Sequence, residues 1–321
     1  MPDSLEKPSA LISWSLLFAC NLMWALQFTC IKLVQDQVGP LATVWIPTTL
    51  SVFMLLPIVR AERRHAHATM RPPLRGFSKL GLLKTYLLLV FLGVVPGQLL
   101  MTFGTRLSLA SNSAMISLAL PVTTALFAVL FLKERMTSTR WISFGLALGG
   151  VVLASGGTLR QVRLDRSQLL GNLLVFMAIL GSSFYNSYGK KALEVHTPIE
   201  MLFWTYLLLS ICMAPFVFVL EAGSLLRVTH FTWHTCAGLG SLTIFHTFLA
   251  MVLFLKALKH LDAIQAALSN YLIALFGIPI AALWLGERLT TAAIAGGILI
   301  LGSTVLMAFL DHARENAVSH S

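Results

Sequence analysis

Leu109-Ala110-Ser111-Asn112-Ser113-Ala114 opens an apolar stretch that ends at Leu132-Lys133-Glu134-Arg135 and is followed by Gly149. The same design returns at Asp262-Ala263-Ile264-Gln265-Ala266-Ala267, ends at Leu285-Gly286-Glu287-Arg288 and is followed by Gly302. The copies lie 153 positions apart, so that Asn112 pairs with Gln265, Glu134 with Glu287 and Gly149 with Gly302. Working outward, Lys32 and Pro40 pair with Lys190 and Pro198 at an offset of 158, because the second half is five residues shorter between its early and late helices. One unit written twice is the mark of a repeat architecture, and in a membrane chain of this kind the binding site lies where the halves meet.

Composition says what sort of chain carries the repeat. Of the 321 residues, 57% are hydrophobic and only 11% charged, with mean hydropathy +0.80. A soluble domain would carry about 25% charged residues. So little polar surface suits a polytopic helical protein in lipid. The net charge of +10 would suggest nucleic acid as the partner of a soluble chain. Here the basic residues fall between apolar runs, so they read as topology signals and no nucleic-acid partner is expected. Cys20, Cys30, Cys212 and Cys236 lie in or beside apolar runs without ligand spacing, which supports neither a disulfide framework nor a metal site. The first apolar run reaches about Val34, too long for a signal-peptide core, and is expected to stay as the first span.

Ten spans fit, at 11–34, 41–59, 84–105, 109–132, 140–157, 169–189, 199–220, 236–257, 262–285 and 291–310, each near the roughly 17–25 residues that cross a bilayer. Gly39-Pro40, Pro72-Pro73, Gly156-Gly157 and Pro198 mark turns. Five spans per half is an odd number, so the second half inserts upside down. The expected fold is all-α integral membrane, ten transmembrane helices as two inverted five-helix repeats at 12–156 and 169–310. With both termini cytoplasmic, sixteen Lys and Arg fall inside, Arg60, Arg63, Arg64 and Lys84 among them, and seven outside; together these are all 23. The positive-inside rule favours that orientation in the inner (plasma) membrane, with Arg160, Arg163 and Arg166 as the one dissenting loop.

Polar side chains inside spans are the candidates for function, since each is costly in lipid without a partner or a wet cavity. Asn21, Trp24, Phe28 and Lys32 share one face of the first helix, with Gln27 beside them. The 158 offset maps Trp24 to Ser182, Gln27 to Tyr185 and Phe28 to Asn186, so the sixth helix carries a related stripe. Aromatics with amides suit an organic substrate with an apolar body and a hydrogen-bonding head; the competing reading is hydrogen bonding between packed helices. Gln98 follows Pro96-Gly97, where a broken backbone would expose carbonyls. Ser117 maps to Asn270, which has Tyr271 beside it. His246 is the one conventional acid–base group near the centre of a span, able to bond a substrate or to carry a proton. The expected cavity residues are thus Trp24, Gln27, Gln98, Tyr185, Asn186, His246, Asn270 and Tyr271. No Asp or Glu lies mid-span, so a carboxylate relay has no visible carrier. Pro121 in the fourth helix and Pro279 in the ninth predict kinks at different depths. Glu134 and Glu287 read as stabilising the start of the helix that follows each. Gly145 and Gly149 form a small-residue stripe for close packing, with a homodimer as the wider assembly it allows.

The hairpin with Glu134-Arg135, its echo Glu287-Arg288 and the glycine-containing helix after each resemble the EamA family of the drug/metabolite transporter superfamily, over about 12–156 and 169–310. The resemblance implies a ten-helix inverted-repeat carrier with a cavity lined by helices 1, 3, 4, 6, 8 and 9, and export of metabolites or drug-like compounds in many members. The expected function is a secondary transporter of a small organic metabolite, outward, by alternating access, with the lipid bilayer as surroundings and no cofactor. No G-x-x-x-x-G-K-[ST] loop is present for direct ATP drive. The alternatives are a membrane-embedded enzyme acting on a lipid-like substrate, which would want paired carboxylates or a His-x-x-x-His set, and a passive channel or scaffold. The topology is testable: in a cysteine-free background, Ser78→Cys and Ser319→Cys are expected to resist an impermeant thiol reagent applied outside intact cells. Labelling of either position rejects this orientation.

Overall fold

The computed structural model describes residues 10–68, 79–132, 166–193, 196–261 and 269–287, with positions 138, 141–142, 145–146, 149–150, 153, 263, 266, 291, 294–299 and 301–303. Among these residues the regular structure is helical, with no strand. In chain order the helices are α1 (Ser15–Val34), α2 (Pro40–Arg64), α3 (Leu83–Leu107), α4 (Ala110–Phe131), α5 (helical positions within 138–153), α6 (Arg166–Lys190), α7 (Pro198–Leu220), α8 (Trp233–His260), α9 (Tyr271–Leu285) and α10 (Ile294–Ser303). Among the described residues seven of them, all but α5, α9 and α10, are long and apolar enough to cross a bilayer. The protein is an all-helical integral membrane protein whose helices follow the ten-span order read from the sequence.

Helix boundaries have local causes. Pro40 and Pro198 open α2 and α7, where a missing N–H leaves no bond unmade. Thr197 accepts from the Glu200 N–H and Thr232 from the Thr235 N–H, which satisfies orphan donors at the starts of α7 and α8. Gly286, at φ 66°, closes α9 in the left-handed region that favours glycine. Phe53, Ile211, Val219 and Leu283 stand exposed on the outside of the bundle, a surface that only acyl chains can cover without cost.

Contacts give the helix directions. Lys32 near the end of α1 donates to the Arg106 carbonyl near the end of α3, at 3.1 Å, so these two helices run together. Gly104 of α3 faces Gly171 of α6, and Gly93 faces Tyr185, so α6 runs against α3. Gly238 of α8 meets Val34, while Phe254 meets Trp24, so α8 runs against α1. Lys190 near the end of α6 donates to the Leu258 and Leu261 carbonyls at the end of α8, at 2.7 and 2.6 Å. The α6–α8 clasp therefore copies the α1–α3 clasp, upside down. In both, an ammonium meets carbonyls at a helix C-terminus, where the dipole favours positive charge.

Helix pairing repeats in the same way. The α3–α6 contact corresponds to α8–α1, and α4–α6 to α9–α1, while α2–α7 and α4–α9 are their own counterparts. Two carboxylates tie the repeats together at the end that carries Lys32. Glu221 accepts from the Leu41 and Ala42 N–H groups at 3.0 and 2.7 Å. Glu287 accepts from the Ala110 and Ser111 N–H groups at 2.9 and 2.8 Å. The Glu287 carboxylate thus caps α4 of the other repeat, where the sequence reading had placed it on the helix that follows it. Glu134, Arg135, Gln265 and Arg288 lie outside the described residues.

Other expectations need correction. The run 262–285 is interrupted by a turn at Ser269 and Asn270 before α9 begins. In α4 a tighter 3-10 turn spans Ser117–Ala119, and Ser117 is the 153-offset partner of Asn270. Both helices depart from α geometry at one depth, with Pro279 further along inside α9. Among the described residues, Gly145 has no atom within 4 Å of where a β-carbon would stand, and Gly149 meets only Leu299 at 4.0 Å. The close approaches lie between α3 and α6 instead. A β-carbon at Gly104 would come within 2.6 Å of the Gly171 oxygen, and one at Gly181 within 2.9 Å of the Gly97 nitrogen. Gly104→Ala is therefore expected to destabilise the protein by roughly 1–3 kcal/mol. Gly240→Ala, with open space around it, should be neutral or slightly stabilising. Equal thermal midpoints for both variants in detergent would disprove the tight seam.

Candidate functional site

Three departures from regular α-helix meet at the centre of the bundle. In α1 a turn at Leu26 separates two helical segments. In α3 the chain widens into π-helix at Leu89–Val94 and Pro96–Leu100, and in α8 at Leu242–Ala250. Leu89 and Leu242 are 153 positions apart, so the widening begins at the same register in both repeats. A π turn re-aims the side chains around it and often accompanies a functional site. The expected break at Pro96-Gly97 is this widening, and it carries Gln98 inward.

A cavity of about 90 Å3 of water-accessible volume lies between the repeats. Trp24, Gln27 and Phe28 line it from α1, with Ser182, Tyr185 and Asn186 from α6. These six are the 158-offset pairs anticipated above. The late helices add pairs at the 153 offset: Gly93 with His246, Gln98 with Met251, Met101 with Phe254, and Leu120 with Ile273. The backbone frame of the cavity is thus two-fold, while three pairs, Phe28 with Asn186, Gly93 with His246 and Gln98 with Met251, set one polar side chain against an apolar or small one.

Within the cavity, His246 Nε2 lies 3.4 Å from Gln98 Oε1. The Trp24 ring packs on Phe254 with centroids 5.0 Å apart and stands 6.4 Å from the His246 ring. Trp24 Nε1, the Tyr185 hydroxyl and His246 Nδ1 are buried with no hydrogen-bond partner among the described residues. A buried polar group left so costs about 1–3 kcal/mol, and a solute that bonds to it recovers that cost. Among the described residues, no Asp, Glu, Lys or Arg lines the cavity. The arrangement offers aromatic faces and neutral hydrogen-bonding groups, with no paired carboxylates for hydrolysis.

Of the eight residues expected at the site, Trp24, Gln27, Gln98, Tyr185, Asn186 and His246 line this cavity. Asn270 is fully buried and does not line it; the turn at Ser269 and Asn270 holds it behind the wall. The side chain of Tyr271 lies outside the described residues. The ends of the α1 stripe have other partners, since Asn21 donates to Ser269 Oγ at 2.8 Å and Lys32 holds α3. Tyr206 of α7 also lines the cavity and donates its hydroxyl to the Thr247 carbonyl at 3.1 Å. The sequence did carry a signal for it, a hydroxyl-bearing aromatic in mid-span, on a helix outside the six that the resemblance implied.

Known proteins share this architecture. A crystal structure superimposes with a TM-score of 0.64 at 14% identity, over 94% of this chain and 98% of that one, a likeness of fold alone. An uncharacterized transporter of Archaeoglobus fulgidus is 23% identical over 92% of this chain and 98% of its own length. The S-adenosylmethionine uptake transporter of Rickettsia bellii is 25% identical over 84% of this chain and 82% of its own. The model of the EamA-like transporter family matches twice, at residues 11–156 and 169–309. Such a family implies a small-molecule substrate and a membrane around the protein, and it sets the enzyme alternative aside. The chain belongs to the EamA-like transporter family and is a multi-span membrane transporter.

Proposed function

We propose that the protein is a secondary carrier that moves a small organic solute outward across the plasma membrane by alternating access, with both termini cytoplasmic. The observation that carries this reading is the cavity between the repeats, walled by paired positions and holding unpartnered polar atoms among aromatic rings. Such a cavity suits a solute with an apolar or aromatic body and a hydrogen-bonding head. Its place where two repeats meet is where a carrier must expose its site first to one side and then to the other. Export is the direction that the family resemblance implies for many members, and the basic residues support the orientation. The two repeats act as functional halves. The open Gly145 and Gly149 face of α5 supports a homodimer as the assembly.

Purified protein in proteoliposomes tests the site directly. Trp24→Ala and Tyr185→Ala are each expected to cut solute flux at least about ten-fold, the scale of one lost buried contact, while leaving folding and insertion intact. Wild-type flux in both variants would assign these residues to packing. Energy coupling is tested separately. With a single buried histidine, His246, as the conventional acid–base side chain among the described residues lining the cavity and no carboxylate beside it, the carrier is expected to work as a facilitator or exchanger, and an imposed pH gradient should leave its flux unchanged. Should flux follow the gradient in the wild type and not in His246→Gln, His246 is the coupling group and this expectation fails.

A further inference from the structure

A second, smaller cavity lies against the first, between α1, α2, α3 and α8, with about 20 Å3 of water-accessible volume. Gln27, Gln98 and His246 line both cavities, so the Gln98–His246 contact stands as the partition between them. One water-sized sphere occupies roughly 10–15 Å3 on this measure. The chamber therefore takes a group of one or two heavy atoms. Its remaining walls belong to the start of α2 and the later part of α3, which places it toward the end of the bundle that carries Lys32 and Arg106.

Its lining has one chemical bias. Thr43, Thr48 and Thr102 each donate their hydroxyl proton to a carbonyl four residues back, of Gly39, Val44 and Gln98, at 2.8, 2.7 and 2.9 Å. What these three oxygens still offer is lone pairs. Pro47 stands inside α2 and has no N–H, so the Thr43 carbonyl receives no helical hydrogen bond from it. Gln98 Oε1 adds a further acceptor beside His246. Among the described residues, no charged side chain lines the chamber. Gln27, His246 and Thr247 bring donors to the α1 and α8 walls, so the acceptors gather on the α2 and α3 side, which receives N–H protons and repels a carboxylate. Beyond the partition, Trp24 and Phe254 present ring faces, which attract a cation as well as an apolar body.

We propose that this chamber is an amine subsite, which takes the primary ammonium head of a substrate whose apolar body occupies the central cavity. The proposal rests on the reading of the central cavity as the substrate site. Entry of the head past the partition replaces the long Gln98–His246 contact with shorter, charge-assisted bonds to the same acceptors.

Three probes with one ring and different heads separate the possibilities: phenethylamine, phenylacetate and 2-phenylethanol, each titrated into the purified full-length protein. Phenethylamine is expected to bind at least about ten-fold more tightly than the other two, since hydrogen bonds from a charged donor are the stronger ones. Thr48→Val with Thr102→Val keeps the shape and removes two acceptors, and should bring the three affinities to within a few-fold. The single variant Thr102→Val gives the same reading in part if the pair fails to fold. Equal or tighter binding of phenylacetate or 2-phenylethanol, or a preference for the amine that survives the valines, overturns the subsite. If the ring still binds and Trp24→Ala weakens all three probes, the central-cavity reading stands without the subsite. If no probe binds, both fall.

Discussion

The approach of α3 to α6 without side chains between them decides where everything else sits. At Gly104–Gly171 and Gly97–Gly181 the backbones are so close that even a methyl group has no room. In lipid there is no hydrophobic drive to bring helices together, so such seams hold by dispersion and by the fit of small residues. This seam joins the two repeats. It fixes the rotation of α6, and with it the inward aim of Ser182, Tyr185 and Asn186. Across the bundle the related seam of α1 and α8 has Ala257 and Ala250 where α3 has Gly104 and Gly97, and it carries Trp24, His246 and Phe254 at its centre. One seam is tight and the other holds its aromatics apart from the opposite wall, so the cavity opens between them.

That difference is what a duplicated frame needs in order to hold an unsymmetrical solute. The backbones repeat down to the onset of π-helix at Leu89 and Leu242. The side chains do not: His246 stands where the first repeat has Gly93, Met251 where it has Gln98, and Ser182 where it has Trp24. A strictly two-fold cavity would bind a polar-headed solute equally in two opposed orientations. Gln98, His246 and the small chamber gather on one side, so the cavity on which the proposed carrier function rests is not two-fold in its chemistry.

The fold was legible because its determinants are local and periodic: apolar run length, breakers such as Gly39-Pro40, and offsets that align Glu134 with Glu287. Much of the site was legible for the same reason, since a polar residue such as Gln27 or His246 is conspicuous in an apolar span and a repeat points to its partner. What stayed hidden depends on pairing between distant segments. Nothing near Gly104 in the sequence announces that Gly171 will sit against it, while the visible stripe at Gly145 and Gly149 stands open. Asn270 looked like a cavity residue, and only the turn at Ser269 and Asn270, a break in an unremarkable apolar run, turns it away. The Glu287 carboxylate lies 176 and 177 positions from the N–H groups it caps, a separation that no sequence pattern marks.

The distribution of polar bonds also bears on motion. Lys32 ties α1 to α3 within the first repeat, and Lys190 ties α6 to α8 within the second. Each is a part-buried ammonium on carbonyls at the ends of a helix pair, a charge-assisted bond of the stronger kind. Each clasp therefore moves as a unit. Among the bonds between repeats, Glu221 on the start of α2 and Glu287 on the start of α4 are part-buried carboxylate caps, which exchange for water at a cost of about 0.3–1 kcal/mol each, while Asn21–Ser269, Ser108–Asn172 and Thr123–Ser183 are buried bonds. A change of a few kcal/mol is what a solute can supply by binding one arrangement of the repeats more tightly than the other. Under the proposed alternating access, the carboxylate caps are the contacts between repeats that open at least cost, while the buried bonds and the glycine seam hold the repeats together.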